Sequence, residues 1–331
     1  MKFNELDNST KVILKVVLAI LVFGFLWLIR DIILILVLAL ILASAMDPLV
    51  NYLYTHKIPR SVSVLAVYLL VVGLIVLFSY FFIPVVIDQF KIFFNNLPNI
   101  INSLQGKFSS VLGNVDLSQL FVQQLSGITG SNVVSSTFTI FDALIGFVSV
   151  LVISFYLVAE ENGMKTFIGT LIPRIHHEFT ITLVEKIQEK MGRWFLGQLI
   201  VILVMFVTTW MGLLILHVPY ALILAVVAGL LEVVPYIGPF ISAIPALLIA
   251  LTQSPALALA VVVLYILLHE LEGYVLVPKI MQKTVGTSPL AVLIALLVGF
   301  KIAGIVGLII SVPLVAAFTV TIHEFWPNKV S

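Results

Sequence analysis

From Trp194 to Ile322 the chain is almost continuously apolar, and its interruptions are prolines, glycines and a few ionisable residues. A soluble domain has too little interior to hide such a run. Cut into pieces of roughly 20 residues, it makes membrane helices, each satisfying its own backbone hydrogen bonds. The remainder of the chain agrees, since 61% of its 331 residues are hydrophobic and only 10% are charged. An all-α polytopic membrane protein is therefore expected, with the lipid bilayer as its first partner.

Several function classes are excluded at once. A formal net charge of +1 offers no basic cluster for nucleic acid. Without cysteine there is no disulfide, thiolate metal site or cysteine nucleophile. HExxH, GxSxG, P-loop and GxGxxG signatures are missing, so neither an enzyme nor a cofactor is expected. The adjacent His176 and His177 diverge on a helix and read as solvated surface. Without a nucleotide motif, active transport must draw on an ion or solute gradient, which points to a secondary transporter.

Apolar runs at 16–29 and 32–45, parted by Arg30 and Asp31, read as two helices with a tight turn. The small-residue string "LASA" at 42–45 resembles a cleavage site, but the run before it is too long and holds Arg30 and Asp31, so it reads as retained helix. Residues 1–88 are taken as N-terminal membrane helices, 89–137 as a polar external insert that is partly helical over 88–112, and 138–159 as a further span. Residues 160–193 carry five Lys or Arg, against two in the longer 89–137 insert. The positive-inside rule makes 160–193 a cytoplasmic linker and places both termini, including the tail 323–331, on that side.

The remaining stretch, 194–322, contains an internal repeat. "PYALILAVVAG" at 219–229 aligns with "PLAVLIALLVG" at 289–299, matching Pro219, Ala225 and Gly229 to Pro289, Ala295 and Gly299. After a one-residue gap, Gly238, Ile241 and Ser242 fall on Gly307, Ile310 and Ser311, and Pro245 lies near Pro313. The copies cover 219–251 and 289–318. If each is a hairpin and one helix separates them, the hairpins enter from opposite faces as an inverted pair. Matching Gly/Pro-broken segments in two halves point to a transport site, because broken helices free backbone groups at mid-membrane depth.

Within "LLEVVPYIGPFISAIP" at 230–245, Glu232 is a carboxylate among aliphatics, three residues before Pro235. Such a group is costly in lipid unless protonated, paired or wet, so it is the first candidate for solute or coupling-ion binding. In "LLHELEGYVLVPK", His269 and Glu272 share a helix face while Glu270 points elsewhere. Glu272 is the second candidate, Gly273 beside it permitting close backbone approach. Lys301 in "GFKIAGIVG" can meet an anion, pair with Glu232 or Glu272, or merely snorkel. Gln198 suits solute contact or a helix–helix hydrogen bond. Pro235, Gly238 and Pro239 would shape one hairpin, and Gly299, Gly304, Gly307 and Pro313 the other.

These stretches resemble the autoinducer-2 exporter family of bacterial and archaeal permeases. The likeness rests on "DP" at 47–48, "GQ" at 197–198, "EVVPYIGPFI" at 232–241 and the run "LEGYVLVPKIMQKTVGTSPLAVLIALLVGFKIAGIVGLIISVPLVA" at 271–316. Gly273 stands where the family pattern has asparagine, and Lys301 where a second glycine is common. The resemblance implies about eight membrane segments, homo-oligomers, a place in the bacterial or archaeal inner membrane, and transport coupled in some members to Na⁺ or H⁺. Export of a small polar solute such as the quorum-sensing signal autoinducer-2, by alternating access, is the leading expectation. A Na⁺(Li⁺)/H⁺ antiporter is the first alternative and a non-transporting membrane scaffold the second.

Overall fold

The computed structural model describes residues 8–112, 133–160, 177–235, 237–281 and 289–325. Within them the elements are all helical: α1 (Asn8–Leu28), α2 (Arg30–Thr55), α3 (Arg60–Leu112), α4 (Val133–Ala159), α5 (His177–Ile215), α6 (Ala221–Leu231), α7 (Gly238–Gln253), α8 (Pro255–Leu271), a π-helical turn Glu272–Leu276, α9 (Val277–Met281) and α10 (Pro289–Phe325). Five helices among the described residues are long and apolar enough to cross a membrane, and four shorter apolar ones accompany them. This is an all-α multi-pass membrane protein.

Three boundaries differ from the sequence reading. Ile29 alone joins α1 to α2, and helical bonds continue on both sides of it, from Ile29 N–H to Phe25 O and from Ile33 N–H to Ile29 O, each 3.0 Å. The two segments thus follow one another as a bent rod, and the expected tight turn at Arg30 and Asp31 is absent. Second, α3 passes through Pro84 and Pro98 without ending. Its 53 residues span about 80 Å at 1.5 Å each, so the chain changes composition near 89 without changing conformation. Third, the span expected from Trp194 begins at His177, because the charged residues 177–193 are the first turns of α5. Residues 113–132 of the proposed insert, 161–176 of the linker and the tail from 326 lie outside the described residues.

The N-terminal helices are tied by one arginine. Arg60 donates from Nε to the Val158 carbonyl (3.1 Å), from Nη2 to Asp47 Oδ1 (3.2 Å) and from Nη1 to Asn51 Oδ1 (3.4 Å), joining α2, α3 and α4. Pro59 just before it ends the "HKIPR" loop, in which Lys57 has a positive φ of 69°. The "LASA" string also has a structural role. Ala43, Ser44 and Ala45 are buried, and Gly192 of α5 lies so close that a methyl group there would overlap the Ser44 carbonyl. Small residues on both helices allow this approach.

The C-terminal half folds into two hairpins separated by α8. The first is α6, a turn that begins at Glu232, and α7, which starts with Pro239 in its first turn. Gly238 sits directly on the Leu231 carbonyl, where a side chain has no room. The second is α10 itself, broken where Ala303 (φ −138°, ψ 19°) and Gly304 (φ 58°, ψ −136°) leave helical geometry. Its arms fold back on each other: Ser311 Oγ donates to Ala295 O at 2.9 Å, whereas a straight helix would part residues 16 apart by about 24 Å. Gly299 and Gly307 meet backbone to backbone between these arms. Ser242 and Ser311, matched in the repeat, each bond a carbonyl one turn earlier in their own outgoing arm, Pro239 O and Gly307 O.

Candidate functional site

The site forms where α5, the turn of the first hairpin and the end of α8 converge. Glu232 follows the last residue of α6, and its N–H closes that helix on Ala228 O at 3.0 Å. The prolines and Gly238 beyond it forbid continuation, so the chain turns with the carboxylate inside: Glu232 is 1% exposed. Glu272 opens the π-helical turn at the end of α8 and is 3% exposed. A π turn adds a residue to the helical repeat and redirects the side chains around it, a device frequent at functional sites.

These two carboxyl groups face each other and interact side chain to side chain. Among the described residues, both Glu232 oxygens and Oε2 of Glu272 are buried without a hydrogen-bond partner. His269, one turn before Glu272, brings Nδ1 to 3.8 Å from that Oε2, and its opposite side reaches the molecular surface. Neither glutamate is ion-paired to a lysine or arginine among the described residues. Val201, Met205 and Leu268 pack together alongside, backed by Leu264 and Leu276. Gln198 completes the arrangement: its Nε2 donates to the backbone carbonyl of Glu232 at 2.7 Å, fixing the hairpin turn on α5.

One turn before Gln198, Trp194 packs with Val292, Leu296 and Val312 of the second hairpin and with Val234 of the first hairpin's turn. Both hairpins therefore rest on one helix face, next to the carboxyl pair.

The sequence candidates separate accordingly. Glu232, Glu272 and Gln198 come together, with Gln198 acting on backbone. Pro235, Gly238 and Pro239 shape the turn that carries Glu232, while Gly299, Gly304, Gly307 and Pro313 belong to the second hairpin. Lys301 is exposed near the second turn and pairs with neither glutamate. Gly273 has open space around it, so the close backbone approach expected there is absent. His269 as the direct neighbour of Glu272 was legible in the three-residue spacing. The facing of Glu232 and Glu272, 40 positions apart, was not.

Two carboxyl groups buried against each other require a compensating positive charge, either a proton or a cation, because a doubly ionised pair is prohibitive in a low-dielectric surrounding. Such a site can exchange one for the other.

Comparison with known proteins places the chain among transporters. YrrI of Bacillus subtilis (strain 168), by name a candidate transport protein, is 29% identical over 90% of this chain and 88% of its own length. YueF of the same strain, named likewise, is 29% identical over 83% of this chain and 79% of its own. A protein of Halobacillus andaensis named sodium-lithium/proton antiporter is 26% identical, covering 86% of this chain and 87% of its own. The family model described as AI-2E family transporter matches residues 16–326, nearly the whole chain, and the protein is thus a membrane transporter that belongs to the AI-2E family.

Proposed function

We propose that this protein is a secondary transporter exchanging protons for a monovalent cation, Na⁺ or Li⁺, at the Glu232–Glu272 pair. The observation that carries this reading is the burial of two facing carboxyl groups, 1% and 3% exposed, with no lysine or arginine paired to either among the described residues. A resident lysine or arginine would lock the pair; without one, its positive charge is exchangeable. The name of the Halobacillus relative supports the same chemistry. Unpartnered carboxylate oxygens are hard ligands of the kind small alkali cations take.

Export of a small polar solute such as autoinducer-2 is the second reading, favoured by the family's name. It has less support from the site. The Gln198 amide is engaged by Glu232 O and the packed neighbours are aliphatic, which leaves few neutral groups for a solute rich in hydroxyls. The scaffold alternative rested on the 89–137 insert and the 160–193 linker, much of which lies outside the described residues.

The exchange works by alternating access around a re-entrant first hairpin. At 1.5 Å per residue α6 and α7 reach about 17 and 24 Å, each short of the roughly 30 Å hydrocarbon core. With α8 crossing between them, the hairpins enter from opposite faces. Counted from a cytoplasmic 160–193 through α5, the first hairpin, α8 and the second hairpin, the C-terminus is cytoplasmic, and the transporter acts in the inner membrane as a homo-oligomer, which would cover part of the apolar surface of α1 and α3.

The test uses purified protein in liposomes with an acidic interior and a pH-sensitive dye. Adding Na⁺ or Li⁺ outside should collapse the gradient in wild type, while Glu232→Gln and Glu272→Gln slow it by about tenfold or more. Equal rates in wild type and both variants would remove the pair from the mechanism.

A further inference from the structure

Between α7 and α8 the surface opens into a groove of about 380 Å³ that the exchange reading does not use. Antiparallel packing sets its ends. Leu247 and Val261 line one end, and the Phe240 ring meets the His269 ring at 5.1 Å at the other, with Glu270 beside it. Between these ends the walls are apolar, among them Ala243, Val262 and Ile266. From 240 to 247 along α7 the groove runs about 11 Å.

Glu270 is the feature that needs a reason. It is exposed on the outer face of α8, inside the apolar stretch Pro255–Lys279, and lies about 22 Å along the helix from Pro255 and about 14 Å from Lys279. Carboxylates at such depth normally turn inward or pair. Glu270 does neither, since no basic side chain among the described residues is paired with it. A groove of ordinary ligand size, greasy along its length and acidic at one end, complements an amphiphile of opposite charge.

We propose that this groove binds a small amphiphilic organic cation: an ammonium head held by Glu270 and the face of the Phe240 ring, and an apolar body of about six carbons lying along α7 and α8 toward Leu247. Aminophospholipids fit poorly, because their phosphate would stand beside the ammonium and face Glu270. His269 lines the groove and also lies 3.8 Å from Glu272, so a bound head group sits one imidazole ring away from the carboxyl pair. Occupancy of the groove would therefore be felt at the transport site.

The test is equilibrium binding of radiolabelled hexyltrimethylammonium to the full chain in lipid nanodiscs, with heptan-1-ol as uncharged competitor. It needs no ion gradient, so its outcome is independent of the exchange reading. Wild type should bind saturably. Glu270→Gln, a change at an exposed side chain, and Ala243→Trp, which fills the groove, should each weaken binding by about tenfold or more. Heptanol should compete poorly. Equal binding by wild type and Glu270→Gln, or displacement by heptanol as effective as by the unlabelled cation, would overturn the proposal and leave a slot for lipid chains. The cysteine-free chain permits a further check: a single cysteine at Ile266 that crosslinks two copies quantitatively would mean that a second copy covers the groove, which also overturns it.

Discussion

Gln198 and Thr209 lie on the same long helix, both buried, and their polar atoms have opposite fates. The Gln198 amide holds the Glu232 carbonyl at 2.7 Å, whereas Thr209, 0% exposed, has a hydroxyl with no partner among the described residues. Gln198→Leu keeps most of the volume but strands a buried carbonyl, at a cost of about 1–3 kcal/mol. Thr209→Val removes a group that is desolvated without compensation and should raise stability by about 1 kcal/mol. Thermal melts of the purified protein in one detergent check both, and matching shifts of the same sign would contradict the assignment. At this scale the sequence was most informative about Glu232 and Glu272, because a carboxylate in an apolar run is conspicuous. It was least informative about Lys301: whether a lysine near a hairpin turn faces inward or outward depends on neighbours brought there by tertiary folding.

Breaks in α6–α7 and in α10 were legible as elements because both depend on local chemistry. Pro235, Gly238 and Pro239 stop one helix and start the next, and Gly304, with φ 58° and ψ −136°, occupies backbone space that is open essentially to glycine alone. Continuity was harder to read than interruption. Pro84 and Pro98 do not end α3, and the charged residues at 177–193 do not separate a linker from α5. Nor does any residue pattern announce the π turn at 272–276. The second hairpin offers a direct test. Cysteines replacing Ala295 and Ser311 should form a disulfide within one chain under mild oxidation, since Ser311 Oγ reaches Ala295 O at 2.9 Å. Failure to close would return α10 to a straight helix.

Across the whole molecule, α5 is the element against which α2, α6, α8 and α10 all pack. Gly192 seats α2, Trp194 touches both hairpins, Gln198 holds the turn of the first, and Gly212 packs on Leu264 of α8. Near its start, Lys186 Nζ binds both oxygens of Glu324 at 2.9 and 2.8 Å, close to where the rings of Phe179 and Phe325 meet at 5.2 Å. The far end of the second hairpin is thereby fastened to the helix that also fixes the first. If access to the carboxyl pair alternates by rocking a hairpin against α5, this fastening must open in each cycle. An exposed ion pair contributes only about 0–1 kcal/mol, weak enough to open in each cycle. Cysteines at 186 and 324, joined by a short bis-methanethiosulfonate crosslinker that spans the length of the two side chains, replace it with a link that cannot open. Crosslinked, that variant should exchange cations about tenfold more slowly than wild type or worse, and a reductant should restore the rate. An unchanged rate with the crosslink fully formed would confine the motion to the first hairpin, with Gln198 and Glu232 as the contact that breaks.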